Sequence, residues 1–235
     1  MNLEQVMKEL ESMGSEQTKK IMIKHGTKEP FFGVKIADSK KLSKKIKNNT
    51  ELAKQLYNTG NYDAMYLGAM IVNPKEIDEK TIEDWSTKSN CYMLAEYALP
   101  SVVAHTKYAK HFALKWMDSD DELVQSSGWS LYTNILAITK DEELDIQQIS
   151  EMLDYIKTNI HTQTDRVKYT MNGFIISVGA YVIPLMDKSI EVAKEVGDVY
   201  VDMGDTSCKV PNASDYIDKM IKSNKCGKKR KSVKC

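Results

Sequence analysis

The residues in this chain best suited to chemistry are lysines. Lys40, Lys41, Lys44 and Lys45 fall on neighbouring parts of one face if their segment is helical, and Lys35 lies just upstream. Ammonium groups spaced this way contact phosphate oxygens as point charges and give affinity for a polyanion without sequence preference. Lys107, Lys110, Arg166 and Lys168 extend the set of candidate phosphate contacts. The formal net charge of +0 hides an asymmetry: eleven lysines against three acids from Lys19 to Lys54, and eight basic residues with no acid after Asp218. Acids gather in the middle, at Asp118, Asp120, Asp121 and Glu122 and again at Asp141, Glu142 and Glu143. Separated basic and acidic faces still attract a polyanion, because the local field acts at contact distance.

Other chemistries find little support. His25, His105, His111 and His161 are scattered; His105 and His111 stand six apart, which does not set them on one helical face at ligand spacing. No metal site is expected. Gly60-Asn61-Tyr62 and Gly204-Asp205-Thr206-Ser207 lack the glycine spacing and following lysine of a phosphate-cradling loop, so no nucleotide cofactor is expected. Cys91, Cys208, Cys226 and Cys235 form no paired motif and read as free thiols; Cys208, beside Lys209, is a weak candidate nucleophile. No apolar run reaches the roughly 18 residues of a membrane span, and Met1 to Gln5 shows no signal pattern. The expectation is a cytoplasmic protein with no membrane partner.

The elements that must position these residues read as helices. The 5 prolines sit near plausible helix boundaries, and the 11 glycines are sparse. Leu3, Val6, Met7 and Leu10 mark a first helix, and Ser15, Asn49, Asn61 and Asn212 or Ser214 stand where N-caps belong. Asp38 or Ser39 is expected to cap a helix Lys40–Lys47, and Asn90–Leu99 is expected to be helical. Lys107–Met117 with Asp121–Ile138, then Ile146–Ile160 with Asp165–Val178, recur at about 40 residues, the period of HEAT and armadillo repeats. The expected fold class is all-α: a right-handed HEAT-like or armadillo-type superhelix of about five or six helical pairs. Residues 1–222 are expected to form a single domain, with an irregular stretch near Asp198–Pro211, and residues 223–235 a basic, disordered tail.

Three segments resemble the DNA alkylation repair family. Phe31-Phe32-Gly33-Val34-Lys35-Ile36, running into Ala37-Asp38-Ser39-Lys40-Lys41-Leu42-Ser43-Lys44, is similar to the family's entry turn and basic helix. Leu123-Val124-Gln125-Ser126-Ser127-Gly128-Trp129-Ser130-Leu131 resembles its second-helix pattern. Val167-Lys168-Tyr169-Thr170-Met171-Asn172-Gly173-Phe174, with Val201 to Pro211, is similar to the C-terminal pattern of one branch. Together they span about residues 30 to 220.

The resemblance implies a solenoid whose concave basic face cradles duplex DNA. It also implies a chemistry: active members release cationic N3- or N7-alkylated purines with a tryptophan and an aspartate on one helix, an arginine on the next repeat and a later tryptophan. Aromatic faces hold the cation, the carboxylate stabilises the charge that develops on the sugar, and the arginine holds a phosphate. Carried onto this chain, those positions fall near Cys91, Ala95, Ser126 and Asn172, none of which offers the family's group. Glu96 is the one carboxylate beside the aspartate position and Trp129 the aromatic near the arginine position. The reading is a DNA-binding protein diverged from or lacking glycosylase activity, its partner duplex, damaged or branched DNA. Groove candidates are Lys35, Lys40, Lys41, Lys44, Lys45, Lys107, Lys110, Trp129, Arg166, Lys168 and Asn172. Two alternatives remain: an active glycosylase using Glu96, and a helical scaffold that binds a protein partner.

Overall fold

The computed structural model describes residues Met1–Lys234. Among them there are thirteen α-helices and no strand, in keeping with the all-α expectation. By its internal contacts the chain divides into two compact units. The first holds Met1–Tyr108, Met203–Ser207 and Lys234; the second holds Ala109–Asp202 and Cys208–Val233.

The first unit comprises α1 (Leu3–Met13), α2 (Glu16–Lys24), α3 (Ile36–Ile46), α4 (Thr50–Asn58), α5 (Tyr62–Ile71), α6 (Glu79–Lys88) and α7 (Leu99–Val103). Local chemistry starts most of them. The side chains of Asn2, Ser15, Asn49, Asn61 and Asp78 each accept the backbone N–H three residues on, which satisfies one of the free donors at a helix start. The apolar helix α5 lies at the centre, packed on α3, α4 and α7. Gly68 lets α4 and α5 approach closely, since a Cβ there would lie 2.9 Å from the Ala53 carbonyl oxygen. Tyr57 stacks on Trp85 with ring centroids 4.0 Å apart.

The helix expected over Asn90–Leu99 is a π-helical turn, Met93–Ala98, leading into α7. Pro100 supplies the reason. It has no N–H for the Glu96 carbonyl four residues back, and its ring would crowd that oxygen in a regular α-helix; widening the turn relieves both.

The second unit comprises α8 (Ala109–Met117), α9 (Glu122–Ile138), α10 (Ile146–Asn159), α11 (Asp165–Tyr181), α12 (Met186–Val196) and α13 (Ala213–Lys222). Helix α9 packs on α8 and α11, α11 also on α12 and α13, and α10 on α12. The stacking therefore runs in two layers, α9, α11 and α13 in one and α10 and α12 in the other, as helical repeats require. Gly128 allows the close α8–α9 contact: its missing Cβ would lie 2.6 Å from the Met117 nitrogen. Trp129, Tyr132 and Phe174 make edge-to-face contacts in this core, with Phe174 5.3 Å from Trp129 and 5.8 Å from Tyr132.

Three expectations are corrected. Helix α3 starts at Ile36, so Asp38 lies in its first turn and does not cap it. Helix α8 starts at Ala109 rather than Lys107. The basic C-terminal segment, expected to be disordered, lies against the second unit. Gly227 N–H donates to the Ala180 carbonyl at 2.8 Å and Arg230 N–H to the Ala137 carbonyl at 2.7 Å. Lys229 Nζ reaches Asp141 at 2.8 Å and the Leu136 carbonyl at 3.0 Å. Lysine-rich composition argues for solvation, but the free carbonyls at the ends of α9 and α11 offer acceptors that composition does not reveal.

Candidate nucleic-acid interface

Helix α3 presents its lysines because of how its apolar positions fall. Ser39 and Leu42 are buried, and Lys40, Lys41, Lys44 and Lys45 are all exposed, with Lys35 exposed at the N-cap. Lys41 pairs with Asp38 at 2.8 Å and Lys45 with Glu9 at 3.4 Å. The Lys41 ammonium beside Asp38 holds that carboxyl below its ordinary range. No ion pair among the described residues engages Lys35, Lys40 or Lys44, which leaves their charge for an outside partner.

The turn that launches α3 is built by a carboxylate that sequence reading missed. Asp63, in the first turn of α5, is buried and accepts three consecutive backbone N–H groups: Phe32 at 2.6 Å, Gly33 at 3.0 Å and Val34 at 3.1 Å. Burial pushes its carboxyl above the ordinary value, and the three donors oppose that rise. Gly33 sits at φ +80°, and a Cβ there would lie 2.8 Å from the Ser15 carbonyl oxygen, so glycine is required. The Phe-Gly-Val turn is thus a nest closed on Asp63, and α3 leaves it in a fixed direction. No local signal marks Asp63, whose partners lie about thirty positions earlier.

Also in the first unit, Lys107 is exposed and lies 5.0 Å from the Tyr108 ring centroid. In the second, Lys110 is exposed and pairs with Asp145 at 3.4 Å. Lys168 pairs with Asp165 at 3.0 Å, and the Arg166 guanidinium lies 4.6 Å from the Tyr169 centroid. These cations stand at or near the surface, already partly engaged by the protein itself.

Two candidates are enclosed by the fold. Asn172 is 1 % exposed, and its Nδ2 donates to the Pro211 carbonyl at 2.9 Å, which fastens the segment before α13 onto α11. Trp129 is 3 % exposed within the α9–α11 core. Neither presents an atom to a phosphate backbone, because the helix faces that carry them are covered by neighbouring helices.

The four positions near which the resemblance places the family's catalytic groups are equally closed. Cys91, Ala95 and Ser126 are buried like Asn172, and burial pushes the Cys91 thiol up. Glu96, in the π-helical turn, is 4 % exposed. No group of three or more histidine, cysteine or acidic side chains among the described residues is arranged to hold a metal. Among the described residues no single helix is long and apolar enough to cross a membrane.

Stacked helices in two layers, with a lysine-bearing helix on one unit, define a helical-repeat protein of the HEAT-like class. Across residues 6–196 the sequence matches the family described as DNA alkylation repair enzyme, and the chain belongs to that family. It is 36 % identical over 224 residues to the uncharacterised protein Lmo0209 of Listeria monocytogenes, a match spanning 93 % of this chain and 97 % of that protein. Lin0241 of Listeria innocua, also uncharacterised, matches to the same extent. A solved structure, 42 % identical and covering 100 % of both chains, superposes with a TM-score of 0.92. It is described as representing a new family of proteins related to the HEAT-like repeat DNA glycosylases with affinity for branched DNA structures.

Proposed function

We propose that this protein binds branched DNA and does not excise bases. The observation that carries the reading is the state of four positions. Cys91, Ala95, Ser126 and Asn172 are buried, and none is a carboxylate, an arginine or a tryptophan. Glycosidic cleavage needs a group that stabilises positive charge on the sugar, and losing one such electrostatic stabiliser removes about 3–4 kcal/mol, or roughly 10²–10³ in rate. Glu96 is the remaining candidate, and its burial keeps it from a sugar that must approach through solvent.

The exposed lysines of α3 supply phosphate contacts without base readout, which suits a ligand recognised by shape. Branched rather than plain duplex DNA is favoured by the affinity described for the structure that matches along the whole chain. Cys91, Cys208 and Cys226 form no disulfide, which supports a cytoplasmic location.

Two measurements test this. Single-turnover incubation with DNA carrying 7-methylguanine or 3-methyladenine should give base release at the uncatalysed rate. Binding to a four-way junction should exceed binding to a linear duplex of the same length and should weaken steeply with salt. Rapid base release would reject the non-enzymatic reading, and salt-independent or absent DNA binding would favour a protein-binding scaffold.

A further inference from the structure

We propose that a groove on the second unit, between α9, α11, α13 and the C-terminal segment, holds an unpaired DNA strand. The inference rests on the DNA-binding reading above and names the part of a branched ligand that this surface would take. The groove has a volume of about 790 Å³. That lies in the roughly 300–1,000 Å³ range of small-ligand sites, so it admits about one or two nucleotides and no duplex.

Its lining is basic. Lys219 of α13 and Lys225, Lys228 and Arg230 of the C-terminal segment contribute to it, and no carboxylate does. The acids of α13, Asp215 and Asp218, are exposed but lie outside the lining. Among the described residues no ion pair engages Lys219, Lys225 or Lys228. Lys229 is the exception that explains the arrangement: paired with Asp141 at 2.8 Å, it anchors the segment while Lys228 and Arg230 on either side of it line the groove. Four cations without an anion select a polyanion.

The rest of the lining selects a polyanion with exposed rings. Tyr169, Tyr181 and Tyr216 contribute; Tyr216 is 46 % exposed, while Tyr181 is buried with the Arg230 guanidinium 5.6 Å from its ring centroid. Gly173 of α11 leaves the groove open beneath them: a Cβ built there meets nothing within 4 Å. Tyrosines beside a track of cations form the usual arrangement for single strands, whose bases offer their faces; a duplex keeps those faces stacked inside. A branch point is where a DNA ligand supplies such a strand.

The test uses the full chain and two fluorescent DNAs: a blunt duplex, and the same duplex carrying a single-stranded flap. Wild type should bind the flap DNA about tenfold more tightly than the blunt duplex. Three variants address the groove separately: Lys225→Glu with Lys228→Glu for charge, Tyr216→Ala for stacking, and Gly173→Leu to fill the floor. Each should abolish the flap preference while leaving duplex affinity within about twofold, with an unchanged circular dichroism spectrum. A flap preference that survives all three, or no preference in wild type, overturns the inference and leaves the DNA-binding reading standing. Failure of wild type to bind either DNA overturns both.

Discussion

Asp63 and Gly33 are separated by thirty residues, yet the carboxylate of one accepts the backbone N–H of the other at 3.0 Å inside the first unit. With the neighbouring Phe32 and Val34 donors, this contact turns a tripeptide into a fixed launching point for α3, and so for the lysines it carries. The DNA-facing charge proposed here thus depends on a buried acid that touches no DNA.

Asp63→Ala should therefore destabilise the protein by about 3 kcal/mol, since it leaves three buried or half-buried N–H groups without their acceptor. Urea denaturation gives the value. A loss below about 1 kcal/mol would mean that water or a backbone shift satisfies those donors.

Reversing charge at Lys40 and Lys44 should weaken binding to every DNA sequence alike and lower the slope of log affinity against log salt by about one per lysine. These two are chosen because Lys41 is already paired with Asp38. An unchanged salt slope would place the DNA surface off α3.

Glu96→Gln should leave base release at the uncatalysed rate and DNA affinity within about twofold of wild type. If wild type releases alkylated purines rapidly and this substitution abolishes the release, Glu96 is the catalytic carboxylate and the non-enzymatic reading fails.

Asp165 links the Lys168 ammonium and the Asp202 N–H, each at 3.0 Å, and its carboxyl is held below the ordinary range, chiefly by the Lys168 hydrogen bond. A lowered folded value means stability that is present above the unfolded value near 3.9 and is lost as pH falls through the folded value. Asp165→Ala should cost about 1 kcal/mol at neutral pH, and that difference should shrink as pH drops below about 4. Urea titrations of both proteins at several pH values would measure it; a pH-independent gap would contradict the charged contact.

Glycines on α9 and α11 should respond oppositely to alanine. At Gly128 the new methyl would meet the Met117 nitrogen at 2.6 Å and the Ala113 oxygen at 2.8 Å, so about 1–3 kcal/mol should be lost. At Gly173 it meets nothing within 4 Å, and relief of glycine's helix penalty should add up to about 1 kcal/mol. Thermal unfolding of the two variants distinguishes them by the sign of the shift.

What the sequence determined by itself is the part of the structure that acts over a few residues. Asn2, Ser15, Asn61 and Asn212 cap helices because a side chain and an N–H three positions away meet without help from the rest of the chain. The spacing of Ser39 and Leu42 likewise decides that Lys40 and Lys44 face outward. Helical periodicity stops there, because it says which residues share a face and not what covers that face. Trp129 and Asn172 sit on faces that α11 and the Pro211 segment close, and Lys229 leaves solvent for an acid and a carbonyl far back in the chain. Those burials, the Asp63 nest and the groove over Gly173 come from contacts dozens of residues apart, which only the packed helices bring within reach.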